Sequence, residues 1–307
     1  MDTDLGLWVI PLAILGGAIR VSTPFLFVSL GEALTERSGR INLGLEGTLV
    51  FGAMSGYALA YLTGSPWLGV LAAALCGALF GLLHGVICSL PRVNDIAVGI
   101  AMMILGLGLA FYFGKPFVQP VAPDLPAISF GGWSDVPQIR AALEVNVLFL
   151  IGAVLAVGLW WMLRATRIGL IIRVVGDSTD AARAMGLRPA VIRTCTTAVG
   201  GAFAGVGGAY LSLYYPGSWN EGISSGQGLM AVALVIFARW NPLACFGAAL
   251  LFGGAGALGP TLQSVGISEG YYLFFAAPYV LTLGVLIATS SPTRAMTGAP
   301  AELSITK

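Results

Sequence analysis

Apolar residues fall in long runs separated by short polar stretches. The runs are Leu5–Leu34, Thr48–Leu62, Trp67–Leu90, Ile96–Phe113, Val145–Leu163, Thr194–Tyr214, Leu229–Ala238, Leu243–Leu258 and Tyr271–Thr289. A membrane-spanning helix needs about 20 mostly apolar residues, and a helix satisfies its own backbone hydrogen bonds as a bilayer requires. The pattern therefore predicts an all-α polytopic bundle of about nine crossings, forming a single transmembrane domain over residues 1–307. A count of eight to ten stays open, because Pro11, Gly16, Gly17, Arg20 and Pro24 interrupt the first run. One crossing from about Val21 is expected there. Leu229–Ala238 and Leu243–Leu258 are short for a span, so their polar neighbours are expected to share the membrane depth.

The longest basic interruption orients the chain. Arg164–Arg193 holds six of the fifteen basic residues, and arginine-rich loops favour the cytoplasm. With that loop inside, Arg37 and Arg40, Arg92, Arg239, Arg294 and Lys307 also fall inside. Arg20, too costly at mid-membrane, is expected at an interface. The segment from Gly114 to Glu144 is polar and proline-rich, with only two basic residues, and is expected outside.

Composition agrees with the pattern. The chain is 57% hydrophobic and 9% charged, against roughly 25% charged for a soluble domain. A net charge of +1 argues against a nucleic-acid partner. MDTDLGLWVI carries acids where a cleavable signal would be basic, so the first apolar run is expected to be retained. Cys76, Cys88, Cys195 and Cys245 lack metal or redox spacing, and His84 is alone, so no metal site is expected. No Walker A loop or HExxH occurs, and no catalytic residues are assigned. Glu32, Glu46 and Asp95 are the carboxylates placed to serve ion coupling. This exclusion points to a pore or permease driven by a partner.

Three stretches carry candidate chemistry. In GEALTERSGRINLGLEG, residues 31–47, glycines at 39, 44 and 47 suit a broken helix lining a polar cavity, although a cytoplasmic turn would explain the charges equally well. Asn42 and Glu46 are the candidate path-lining residues. Asn94 heads the run after Pro91 and either caps its helix or faces the path. Within the arginine-rich loop, DSTDAARAMG predicts a helix of about eight residues. Asp177 or Ser178 would cap it, Asp180 sits in its first turn, and Gly186 and Pro189 would end it. Too short to span or to fold alone, it is either a solvated connector or a docking element. Gly77, Gly81 and Gly85 recur every four residues and predict a close helix contact.

GEALTERSGRINLGLEG, RIGLIIRVVGDSTDAARAMGL, AGVGGAYLSL and GQGLMAVALVIFARWNPL together resemble the permease subunits of bacterial ABC importers in the branched-chain amino acid, ribose and nucleoside group. The likeness is greatest to nucleoside permeases that work with basic-membrane-lipoprotein binding proteins. VNDIAVGIAMMILGLGL departs from the pattern, with Met102 and Met103 where relatives commonly carry asparagine.

The resemblance implies an import permease in the bacterial inner membrane, forming the transmembrane path with a second permease chain as a heterodimer. It also implies separate ATPase subunits carrying ATP and magnesium, and a lipoprotein that delivers substrate. Asp177–Gly186 would be the coupling helix, with Ala181, Ala182 and Met185 as apolar contacts and Arg183 as a polar one. Beyond membrane lipid, no cofactor is expected on this chain. Sugars or other small polar solutes are the alternative substrates, and an ion-coupled transporter is the alternative mechanism.

Overall fold

The computed structural model describes residues 9–134, 137–264, 274, 276–289 and 298–304. Helix dominates. α1 (Val9–Arg37) is followed by α2 (Leu45–Thr63), α3 (Pro66–Ile87) and α4 (Asp95–Gly114). After the external segment come α6 (Val147–Ala165), α7 (Arg167–Asp177), α8 (Thr179–Ala184) and α9 (Pro189–Leu213). α10 (Gln227–Phe237), α11 (Pro242–Ser264) and a helix at Ala277–Thr289 complete the bundle. Among the described residues, five helices are long and apolar enough to cross a membrane: those within Pro11–Arg37, Pro66–Ile87, Asp95–Phe117, Val147–Ala165 and Pro242–Gln263. The chain is a multi-pass helical membrane protein.

The external segment departs from a purely helical class. It contains α5 (Pro137–Ala142) and two short strands, β1 (Ala127–Ser129) and β2 (Glu144–Asn146). The strands pair antiparallel, with Ile128 opposite Val145. Leu125 N–H also donates to the carbonyl of Leu213 at the end of α9 (2.9 Å), and Tyr57 O–H to that of Pro120 (2.7 Å). These bonds seat the segment on α2 and on the C-terminal end of α9.

α9 is the central post. Its small residues let α3, α2 and α1 approach almost to backbone contact. A methyl group at Gly77 or Gly81 of α3 would overlap the carbonyl of Gly201 or Thr197, and one at Gly85 would lie 2.8 Å from Thr194 Cα. The four-residue glycine repeat is thus the packing face that its spacing predicts. In lipid, where apolar burial between helices gains little, such close packing supplies much of the association.

Two boundaries differ from the sequence expectation. α1 runs through GEALTER to Arg37, so Glu32 and Glu36 lie in the helix rather than in a loop. The chain then turns back at Gly39 (φ 85°), and α2 begins at Leu45. Position along α9 gives the depth of that start. Arg193 lies near the N-terminal end of α9, beside Ser38, while Gly208 meets the backbone of Leu49, about 22 Å further along at roughly 1.5 Å per residue. α2 therefore starts part-way along α9, and the polar stretch before it is a break between two helices.

Candidate functional site

The break in α2 meets a second break. Residues 215–226 follow α9, and α10 starts from Gly226 in the left-handed region (φ 82°), a conformation that glycine adopts without a side-chain clash. Glu46, in the first turn of α2, lies buried between the two helix starts. Its carboxylate accepts from the Ser224 hydroxyl (2.5 Å), Gly226 N–H (3.1 Å) and Gly228 N–H (2.7 Å). The positive ends of two half-helices thus converge on one anion. A Cβ at position 228 would fall 2.6 Å from Glu46 Cα, which is why the chain carries glycine there.

The same segment walls a cavity of about 160 Å³. Phe25 of α1, Tyr215, Ser225, Gln227 and Met230 line it, together with Tyr279. Tyr279 O–H donates to the carbonyl of Ser225 (3.0 Å). Gln227 Oε1 is buried and accepts no hydrogen bond from the described residues. An unpaired buried acceptor among aromatic rings is costly for folding and useful for holding a polar planar solute.

Below α1 and α2, polar groups tie the break together. Asn42 N–H donates to Glu32 Oε1 (2.8 Å), and Asn42 Oδ1 accepts from Gly44 N–H (2.9 Å). Arg40 donates to the carbonyls of Gly85 (2.7 Å) and Cys88 (2.9 Å) and pairs with Asp95 at 3.5 Å. The buried Glu36 accepts from the indole N–H of Trp240, linking α1 to the start of α11.

At the arginine-rich end, α8 packs between α7 and α9. Ser178 caps it by accepting from Ala181 N–H (3.2 Å). Gly186 at φ 76° ends it, with Leu187 N–H returning to the carbonyl of Ala182 (3.0 Å). Arg193 forms the seat: it donates to the carbonyls of Ser38 (2.9 Å) and Val175 (3.0 Å) and to Thr179 Oγ1 (3.0 Å). From the tail, Glu302 accepts Thr179 N–H (2.8 Å) and pairs with Arg193 (3.4 Å). Partial burial works against the Glu302 carboxylate, yet the Thr179 amide and Arg193 hold it below its ordinary value.

Residues 14–289 match the family model described as "Branched-chain amino acid transport system / permease component". The chain belongs to this family. The permease is 30% identical over 283 residues to the guanosine ABC transporter permease protein NupQ of Bacillus subtilis, covering 85% of this chain and 87% of NupQ. It is 32% identical over 280 residues to the nucleoside ABC transporter permease protein NupC of Lactococcus lactis, covering 86% and 88%. It is 34% identical over 260 residues to the Haloferax volcanii permease protein TsgC13, named for glucose ABC transport, covering 83% and 79%.

The residues singled out from the sequence have separate places in the permease. Asn42 and Glu46 lie together at the break, and each is engaged in hydrogen bonds that hold it. Asn94 is exposed and caps α4, accepting from Ile96 N–H (2.9 Å) and Ala97 N–H (3.1 Å), so the capping alternative describes its contacts. Around α8, Ala181, Arg183 and Met185 face outward, with Met185 61% exposed, whereas Ala182 is fully buried beneath them. Ala182 therefore supports the helix instead of contacting anything docked on it. Asp180 is exposed beside Arg183 at 3.4 Å, Asp177 ends α7, and the regular helix spans six residues rather than eight. The preceding stretch, expected as loop, forms α7, with Ile172 and Val175 buried and Ile168 exposed.

Gln227, Ser224 and Tyr279 escaped the sequence reading. The only local signal was glutamine between two glycines at the head of an apolar run. Met102 and Met103, the departure from the family pattern, pack against Gly44 and Gly47 beside Glu46, so that difference touches the break itself.

Proposed function

We propose that the permease is the transmembrane subunit of an ATP-driven nucleoside importer in the bacterial inner membrane. In this reading nine segments cross: the five long helices, α2, α9, α10 and Ala277–Thr289. Two permease chains form the path, as a heterodimer, and a lipoprotein supplies the solute. Separate ATPase subunits, which hold ATP and magnesium, grip α8 through Ala181, Arg183 and Met185. Their closure moves α8, and with it α7 and α9, between which it is strung. The attached spans then rock between outward- and inward-open states.

The observation that carries the coupling is α8 itself, a capped helix with an outward apolar residue, seated by Arg193 on the inner end of α1. For the solute, the supporting observation is the likeness to proteins named for guanosine and nucleosides over most of the chain. The aromatic cavity with the free Gln227 carbonyl oxygen suits a nucleobase, whose ring stacks and whose N–H groups donate. At about 160 Å³ it is smaller than the roughly 300 Å³ of a small-molecule pocket, so the path must widen at this point to pass a nucleoside. Glu46 shapes the wall by holding Ser224 to Gly228. Asn42 holds Glu46's segment to α1.

The likeness to TsgC13, named for glucose transport, favours simple sugars as a second reading. ATPase activity of the reconstituted importer separates the two, with guanosine, adenosine, glucose, fructose and leucine supplied in turn through the binding protein. Stimulation by nucleosides is the expected result. Stimulation by sugars alone would replace the substrate class, and solute movement on an ion gradient without nucleotide would end the ATP-driven reading.

A further inference from the structure

A second and larger cavity, of about 430 Å³, opens at the arginine-rich end of the permease, away from the α2/α10 break. Its wall carries four arginines from four elements: Arg37 at the end of α1, Arg164 at the end of α6, Arg173 of α7, and Arg239 between α10 and α11. None of the lining residues is acidic. Among the described residues no carboxylate forms an ion pair with any of the four. Arg37 donates to the carbonyl of Trp240 (3.0 Å), and Arg164 lies 4.9 Å over the ring of Trp160. Neutral groups thus hold Arg37 and Arg164 in place, and Asp177, at the end of α7, acts on Arg37 without forming an ion pair with it. Like charges gathered in one recess repel and lower stability unless an anion joins them.

The backbone supports the same conclusion. Arg239 and Trp240 both occupy the left-handed region (φ 51° and 55°), which is uncommon for side-chain-bearing residues. The buried Glu36 holds Trp240 there through its indole N–H. The result places the Arg239 side chain on the cavity wall beside Arg37.

Apart from Asn241, the rest of the wall is mostly apolar. Leu163 and Phe237 lie beside Trp160 near the membrane ends of α6 and α10. The adjoining face of α6 exposes Val154 (71%), Val157 (54%) and Trp161 (58%), a surface suited to acyl chains. A recess that is cationic toward the aqueous end and apolar toward the bilayer matches a phospholipid better than a free anion. The volume also falls within the roughly 300–1,000 Å³ of ligand sites.

We propose that this cavity binds the phosphate headgroup of an anionic phospholipid from the leaflet on the α8 side, with Arg37, Arg164, Arg173 and Arg239 as its cations. The leaflet follows from the orientation given under the proposed function, but the site does not depend on the substrate. α7 and the α10–α11 turn both border it, so an occupied site would brace α7, which leads into α8. Basic pockets between helices on this side are suited to such headgroups.

Native mass spectrometry of the delipidated permease complex, titrated with phosphatidylglycerol or phosphatidylcholine, tests the site. Phosphatidylglycerol should bind selectively, and R164Q/R173Q should weaken it about thirtyfold, from roughly a fivefold loss per arginine. R164K/R173K should restore most of the binding, which separates loss of charge from misfolding. Equal binding of both lipids, or unchanged phosphatidylglycerol affinity in the glutamine variant, would overturn the proposal. Displacement of the lipid by millimolar inorganic phosphate would overturn the lipid assignment in favour of a free-anion site. Loss of the ATPase subunits with lipid binding intact would make the cavity a protein-docking surface instead. Each readout is lipid or subunit mass, so a wrong substrate class leaves the test unaffected.

Discussion

Glu46 shows how one side chain can organise two helices. Its three hydrogen bonds come from a hydroxyl and two backbone amides at the start of α10, and bonds to a charged acceptor contribute about 1.5–3 kcal/mol each where mutation has measured them. Glu46→Gln keeps the shape but turns an amide N–H₂ toward Gly226 or Gly228, donor against donor. The expected result is a loss of about 2–3 kcal/mol in stability and impaired uptake, read from the thermal midpoint of the purified permease and from solute accumulation. An unchanged midpoint and normal uptake would remove the clamp. The glycines at 39, 44 and 47 made this residue visible in the sequence as part of a broken helix. Its partners were not visible, because Ser224, Gly226 and Gly228 lie 178 to 182 positions away. Gln227 was missed for the same reason: a lone glutamine carries no pattern, and its free carbonyl oxygen exists only once Phe25, Tyr215 and Tyr279 surround it.

At the scale of the element, α8 was the most legible feature of the chain. Its cap, its terminating glycine and the following proline are local signals, and each appears at its expected residue. Which side faces outward was not legible, because six residues are too few for a hydrophobic stripe to show. Burial assigns it: Met185 and Arg183 point out, and Ala182 points in. Met185→Glu and Arg183→Glu should leave the permease inserted while reducing nucleotide-driven uptake about tenfold each, equivalent to roughly 1.4 kcal/mol of docking energy. Ala182→Glu should instead destabilise the inner end of the bundle by forcing a carboxylate into a buried site. Uptake measured beside ATPase activity and membrane content distinguishes the two, and full transport by both surface variants would mean that nothing grips α8 there. α7 shows the opposite case. Its arginines mask an amphipathic helix with Ile172 and Val175 inward, and basic density alone reads as loop.

Across the whole molecule, Arg193 and Glu302 join the end of α1 and residues 298–304 to α7 and α8. Arg193 reaches Ser38, Val175, Thr179 and Glu302, so α1, α7, α8 and the tail meet at one guanidinium. Because the folded carboxylate of Glu302 sits below its ordinary value, its contribution is present above the unfolded value of about 4.3 and is lost as pH falls through the lower folded value. Wild-type permease should therefore be more stable than Glu302→Gln at neutral pH, with the difference closing as the medium is acidified below the usual carboxylate range. Thermal unfolding of both proteins from pH 7 to pH 3 measures this, and a gap that stays constant over that range would show that the carboxylate's charge contributes nothing.

By itself the amino-acid order determined the membrane class, the positions of most spans, the glycine face of α3 and the capped helix α8. Those outcomes follow from desolvation and backbone preferences that act over a few neighbouring residues. Only the tertiary structure decided that the starts of α2 and α10 meet at Glu46, that Ala182 turns inward, and that four arginines share one recess. Each of these rests on contacts between residues far apart in the chain, where no local preference selects the partner and packing of whole helices against α9 does.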